Sequence, residues 1–263
     1  MIDAKSLLDR FLGSSQGATP SPWGNPNQAQ PPAVSQQGAG GLADMARQAL
    51  QRAGGGGLGG SGMGGFAGGA AAGGILGLLL GGKGMRRGGG LISHGGAAVL
   101  GALAHRAWQN WQAGQAAATA PVATPQDAAA VDPRFLPGAT PAAGGEPFEL
   151  ALIRAMIGAA RADGHIDAEE RARIFAQVEK AGMDAEAKAF VFDALDSPIG
   201  VSEVAAAAQT QEQASELYLV SRLAVDPDHP AERAYLQALA HRLKLPEGLV
   251  AHLDRQIDAA PAA

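Results

Sequence analysis

The chain has 263 residues, 38 of them Gly and none Cys, and a formal net charge of −5 at pH 7. Without Cys there is no disulfide framework, thiolate zinc site, Cys nucleophile or acylated cysteine anchor. Residues 1–145 carry 9 Lys and Arg against 5 Asp and Glu, but residues 146–263 carry 11 against 20, and an acidic half lacks the clustered basic face that nucleic-acid binding needs.

In residues 1–12, Ile2, Leu7, Leu8, Phe11 and Leu12 fall mainly on one side of a short amphipathic helix. No basic start followed by an apolar core is present, so this is not a signal peptide, and any membrane insertion must come from a later, uncleaved segment. Residues 13–53 run through Ser, Gln, Pro and Gly and read as a disordered linker, with Trp23 an incidental aromatic.

Residues 54–111 are expected to form a glycine-rich membrane segment. Ala53 to Gly82 is a run of 30 residues without a charge, and about 20 apolar residues span a bilayer. In water each Gly costs a helix about 1 kcal/mol relative to Ala. In lipid an unpaired amide costs several kcal/mol and enforces helix. Gly65, Gly69, Gly73, Gly77 and Gly81 recur every fourth residue and make a flat stripe for close helix packing. A second stretch, Gly88 to Ala104, repeats the spacing with Gly89, Ser93, Ala97 and Gly101.

The basic Lys83, Arg86 and Arg87 between the stretches suggest a turn, and Trp108 and Trp111 after them an interfacial belt. One span or a hairpin both fit: a hairpin puts the basic turn in the cytoplasm and the acidic domain outside, and a single span holds the C-terminal domain on the cytoplasmic side. His94 reads as a packing or interfacial residue. The alternative for the whole region is a glycine linker that never inserts. Two nucleotide-motif look-alikes, G-x-G-x-x-G from Gly57 and the front of a phosphate loop from Gly77, lack a preceding strand, and after the second Gly84 stands where Ser or Thr would hold magnesium, so no nucleotide is expected.

Residues 112–145, with Pro121, Pro125, Pro133, Pro137 and Pro141, read as a second linker. From 146 to 263 the apolar spacing changes to three and four and predicts seven short helices, an all-α bundle. Leu150, Ile153, Met156 and Ile157 mark the first; Ile174, Phe175 and Val178, after Asp167, the second. Asp184 caps the third and Ser202 a short fourth; the fifth, from Thr210, presents Leu217, Val220 and Leu223; Pro230 and Pro246 start the last two. His241 and His252 on those two helices are expected to face solvent or cap.

Two acidic connections stand out. Asp163-Gly-His-Ile-Asp-Ala-Glu-Glu170 matches the back half of a calcium loop, but Ala159 and Arg161 occupy the front positions that need acids. Asp226-Pro-Asp-His-Pro-Ala-Glu232 again places an Asp at one helix end and a Glu at the next start. Both Glu residues are followed by Arg-Ala, which suggests a pseudo-repeat. Brought together, Asp163, Glu170, Asp226 and Glu232, with Asp167 and Asp228 as secondary ligands, would suit a hard divalent cation such as calcium, magnesium or manganese. The competing reading is that these acids only cap helices and offset their dipoles.

These motifs resemble the TerB-like domain of bacterial tellurite-resistance proteins. The arrangement of short helix, glycine-rich stretch and acidic domain is most similar to the YebE-like inner-membrane family. The resemblance implies an all-α fold in which Asp163, Glu170, Asp226 and Glu232 occupy paired acidic positions associated with a divalent cation. Pro227 departs from the Gly or apolar residue usual there. No activity follows from the likeness, and no nucleophile or acid–base pair has a local signature, so the chain is expected not to be an enzyme. The expected role is a binding or scaffold module of the bacterial inner membrane in envelope or metal stress. It would touch lipid, self-associate through its membrane helices and recruit a protein partner. The alternative is a structural adaptor that oligomerises through the glycine stripes.

Overall fold

The computed structural model describes residues 2–12, 96–162, 172, 174–176, 178, 183–225, 227 and 229–259. All belong to one structural unit. Among them the only regular structure is helical. The α-helices are α1 (Ala4–Leu12), α2 (Gly96–Gln112), α3 (Phe148–Ala160), α4 (Ala185–Asp196), α5 (Val201–Ala206), α6 (Gln211–Leu223), α7 (Pro230–Arg242) and α8 (Glu247–Asp258). Between α3 and α4, residues 172, 174–176 and 178 are also helical.

The centre of the unit is α3 against α6. Leu152, Ile153, Met156 and Ile157 of α3 and Leu217, Leu219 and Val220 of α6 are fully buried. Apolar side chains on several faces of α3 fit a helix surrounded by protein. The N-terminal helix α1 lies on α3 and α2, with Leu8 and Phe11 fully buried. Its Asp9 is buried too, and accepts the backbone N–H of Ala97 at 3.0 Å. One carboxylate from a distant helix thereby satisfies an orphan amide at the start of α2.

α2 contains the end of the second glycine-rich stretch, and it packs along α8, α6 and α1. Val99, Leu100 and Leu103 are in the core. Gly101, expected to face another membrane helix, faces protein: a Cβ there would stand 2.1 Å from the Phe135 carbonyl oxygen. The two Trp residues also serve packing within the unit. Trp108 meets the ring of Trp111 edge-on at 5.3 Å and that of buried Phe135 at 6.1 Å. Trp111 lies against Gly248 of α8. Among the described residues no helix is long and apolar enough to cross a membrane.

Of residues 112–145, expected to be a linker, Gln112 ends α2 and the rest, with 146–147, form a strap of short 3₁₀ turns laid across the helices. Pro125, Pro133 and Pro137 each open a turn, at Pro125–Ala130, Pro133–Phe135 and Pro137–Ala139, where a fixed φ and a missing N–H cost nothing. Backbone outside regular structure still needs partners, and buried side chains supply them. Asn110 donates to Pro121 O at 2.8 Å, Gln256 accepts Ala123 N–H at 2.7 Å, and Gln213 donates to Thr140 O and Pro141 O at 3.0 Å. His252, expected at the surface, is buried and donates from Nε2 to Gln115 O at 3.1 Å.

The caps of the helical region follow the sequence closely. Asp184 accepts Ala187 N–H at 2.7 Å and Thr210 accepts Gln213 N–H at 3.2 Å. Ser202 is not a cap; it lies inside α5, and Glu203 takes the Gly200 N–H at 2.8 Å. Phe175 is not core either: it is 38% exposed and stacks on Phe192 at 4.1 Å.

Candidate functional site

Of the acids expected to hold a cation, Asp163, Glu170, Asp226, Asp167 and Asp228 lie outside the described residues. So do Gly65, Gly69, Gly73, Gly77 and Gly81. Glu232 is described: it is half-buried in the first turn of α7, after His229 at the N-cap and Pro230 at the first helical position. That end of a helix carries positive partial charge and favours a carboxylate. Among the described residues no group of three or more His, Asp or Glu side chains is placed to hold a metal ion. Arg233, next to Glu232, donates to the Pro227 carbonyl at 2.8 Å and so closes the connection between α6 and α7.

Pro227 and Arg233 line a groove of about 980 Å³ bounded by α6, α7 and α8. Its apolar floor includes Leu236, Ala240, Leu245 and Val250. Two spacings of four, Tyr218 with Arg222 on α6 and Asp254 with Asp258 on α8, meet along it. The Tyr218 hydroxyl donates to Asp254 at 2.9 Å, and Arg222 donates to Asp258 at 2.7 Å while its Nε lies 3.6 Å from Asp254. Burial, then the Asp254 carboxylate, pushes the Tyr218 phenol up. Burial also raises Asp254, against the opposing pull of the Tyr218 hydrogen bond and Arg222. Tyr235 is pushed up by burial to about 12. The hydrogen bonds and ion pairs of Tyr218 and Arg222 with Asp254 and Asp258 brace α6 against α8.

A second polar feature lies inside the unit. Glu216 of α6 is 1% exposed, and its Oε1 has no hydrogen-bond partner. Burial, and then the carboxylates of Glu149 and Glu212, push its carboxyl well above the usual range. Glu149 is itself buried, and Glu212 pairs with Arg134 at 3.1 Å. A neutral carboxyl here costs less than an uncompensated buried charge. Neither Glu216 nor the Tyr218 brace was anticipated. Glu216 lies four residues before Val220 on the buried side of α6, and that register was the available signal.

Fold and site define an all-α protein with a surface groove bounded by α6, α7 and α8. The chain belongs to the family described as Protein of unknown function (DUF533), whose model matches residues 65–257. The match takes in α2, the strap and the helices up to α8. A protein of Yersinia enterocolitica, described as the uncharacterized protein in the ampR 5′ region, is 36% identical over 106 residues, covering 40% of this chain and 76% of that protein. No solved structure matches the chain at the same stringency.

Proposed function

We propose that the chain is a membrane-anchored, non-enzymatic binding and scaffold module with a TerB-like acidic domain. It is held at the bacterial inner membrane by the uncharged run from Ala53 to Gly82, YebE-like in its arrangement; because α1 before the run packs with α2 and α3 after it, the run enters and leaves the membrane on the same, cytoplasmic side, where the helical unit lies. Its acidic connections take up calcium, magnesium or manganese, and the bound cation adjusts partner binding in envelope or metal stress. The observation behind this reading is that Pro227, between the acids of the second connection in sequence, and Arg233, the residue after Glu232, both line the α6–α7–α8 groove. An ion held by residues 226–232 would sit beside a surface shaped to receive another molecule.

Thermal unfolding of the full chain in detergent, stripped by chelator and then titrated with each ion, tests the cation. A ligand at a hundredfold excess over its Kd that binds only the native state adds about 2.7 kcal/mol, or roughly 5–10 °C at this size. The rise should saturate and should vanish in Asp163→Asn with Glu232→Gln. Absence of any rise would favour the structural adaptor, in which Glu232 does no more than offset the dipole of α7 and the glycine stripes drive self-association.

A further inference from the structure

The groove between α7 and α8 has walls of opposite charge. On α7, Arg233, Gln237 and His241 succeed one another at four residues and share one face, and Lys244, two residues past the helix end, lines the groove with them. On α8, Glu247, Asp254 and Asp258 form the facing ridge. Arg222 beneath it offsets part of that negative charge, yet Asp258 remains 52% exposed. The apolar floor runs between the ridges, and α8 measures about 17 Å from Glu247 to Asp258 at 1.5 Å per residue. That is roughly three helical turns.

We infer that this groove receives an amphipathic helix of a protein partner, with an apolar stripe on the floor, acidic residues along α7 and basic residues along α8. The inference rests on the binding-module reading and names what is bound. Shape commits the groove to a convex occupant, because two copies meeting groove to groove would enclose a void, which protein packing disfavours. A helix laid in an apolar groove is a recurring recognition mode with anchors at three- and four-residue spacing. Opposite charges on the two edges fix its direction, since reversing the helix brings each edge against a wall of its own sign. The backbone adds a further sign. Lys244 sits at φ 56°, a left-handed conformation that costs a side-chain-bearing residue, so a cation stands just past α7 where Gly would be easier.

The test uses the full chain in detergent and three fluorescein-labelled probe peptides of 16 residues sharing one Leu stripe, read by anisotropy. One carries Glu on one edge and Lys on the other; the second carries Lys on both; the third carries Glu on both. The mixed peptide should bind at least tenfold tighter than either uniform one, and the preference should fade with added salt. Gln237→Glu with Lys244→Glu, both exposed positions, should shift the preference to the all-Lys peptide with the far-UV spectrum unchanged. Equal binding of all three, no binding of any, or an unchanged ranking in the double variant would overturn the assignment. So would a chain dimer that the double variant dissolves. The cation titration on the same samples separates the two ideas: a retained cation response with failed peptide ranking leaves the module and removes this occupant.

Discussion

The strap of residues 113–147 and the α6–α8 region solve the same problem in opposite ways. In α6, α7 and α8 the backbone satisfies itself, and burial follows the helical period: Leu217 and Val220, Leu236 and Leu239, Leu249 and Leu253 are all buried. In the strap the backbone satisfies itself mainly in short turns, and groups far away in sequence complete it, with the Ala207 carbonyl accepting Ala143 N–H and Gln256 bonding Ala123 across 133 residues. Periodicity reports the first kind of order and is silent on the second. An Ala- and Pro-rich stretch is therefore ambiguous between a spacer and a strap until its distant partners are known.

The strongest way to break this comparison is to remove the N-terminal half. A chain of residues 146–263 should lose cooperative unfolding and near-UV ellipticity, because α2 and the strap cover α8 and α6. Val99, Leu100 and Leu103 alone contribute about 1.5–3 kcal/mol each on burial, against a total stability of about 5–15 kcal/mol. A sharp transition at the full chain's midpoint would return the strap to the status of a spacer. Next in size is Gly101→Ala. Its Cβ would meet the Phe135 carbonyl at 2.1 Å, so the strap must move, at a cost of about 3 kcal/mol. Gly144→Ala, with open space around the added atom, should change the urea midpoint little.

Gln256→Ala sharpens the point without touching the apolar core. It strands the Ala123 N–H and weakens the hold on Pro121 O, and should cost about 2 kcal/mol. The contrast with α6 comes from Glu216→Gln. The folded-state pKa of Glu216 is raised, so below its unfolded value near 4.5 both states are protonated and the acid costs nothing. As pH rises above that value the unfolded chain releases the proton and the folded one holds it, and stability falls. The variant should match the parent at pH 4 and gain on it above pH 4.5, by at most about 1.4 kcal/mol per pH unit. A gap independent of pH would show that Glu216 ionises freely in the folded protein.

How much could be read in the sequence follows from the same contrast. Pro230 and Pro246, Asp184 and Thr210 fix helix starts by local chemistry, and each start is found where expected. Gly101 was legible as a close-packing residue, but not what approaches it, because a small residue every fourth position looks alike whether a lipid-buried helix or a 3₁₀ turn fills the gap. His252 was misplaced because its partner, Gln115 O, belongs to the strap. Of the acids expected at the cation site, only Glu232 is described, in the first turn of α7.

The smallest effect tests whether even the most legible region departs from its own rules for a reason. α7 ends in a Schellman arrangement: Leu245 N–H bonds Ala240 O at 3.1 Å, and Lys244 N–H bonds His241 O at 3.1 Å. That motif calls for Gly at the left-handed position, and Lys244 occupies it at φ 56°. Lys244→Gly should therefore raise stability by about 1 kcal/mol, seen as a higher urea midpoint with an unchanged slope. The same change removes the last cation of the α7 wall, so the acidic edge of the mixed probe peptide should bind less tightly as the protein becomes more stable. If stability and peptide affinity rise together, the lysine contributes nothing to the groove, and its strain is left with no function to explain it.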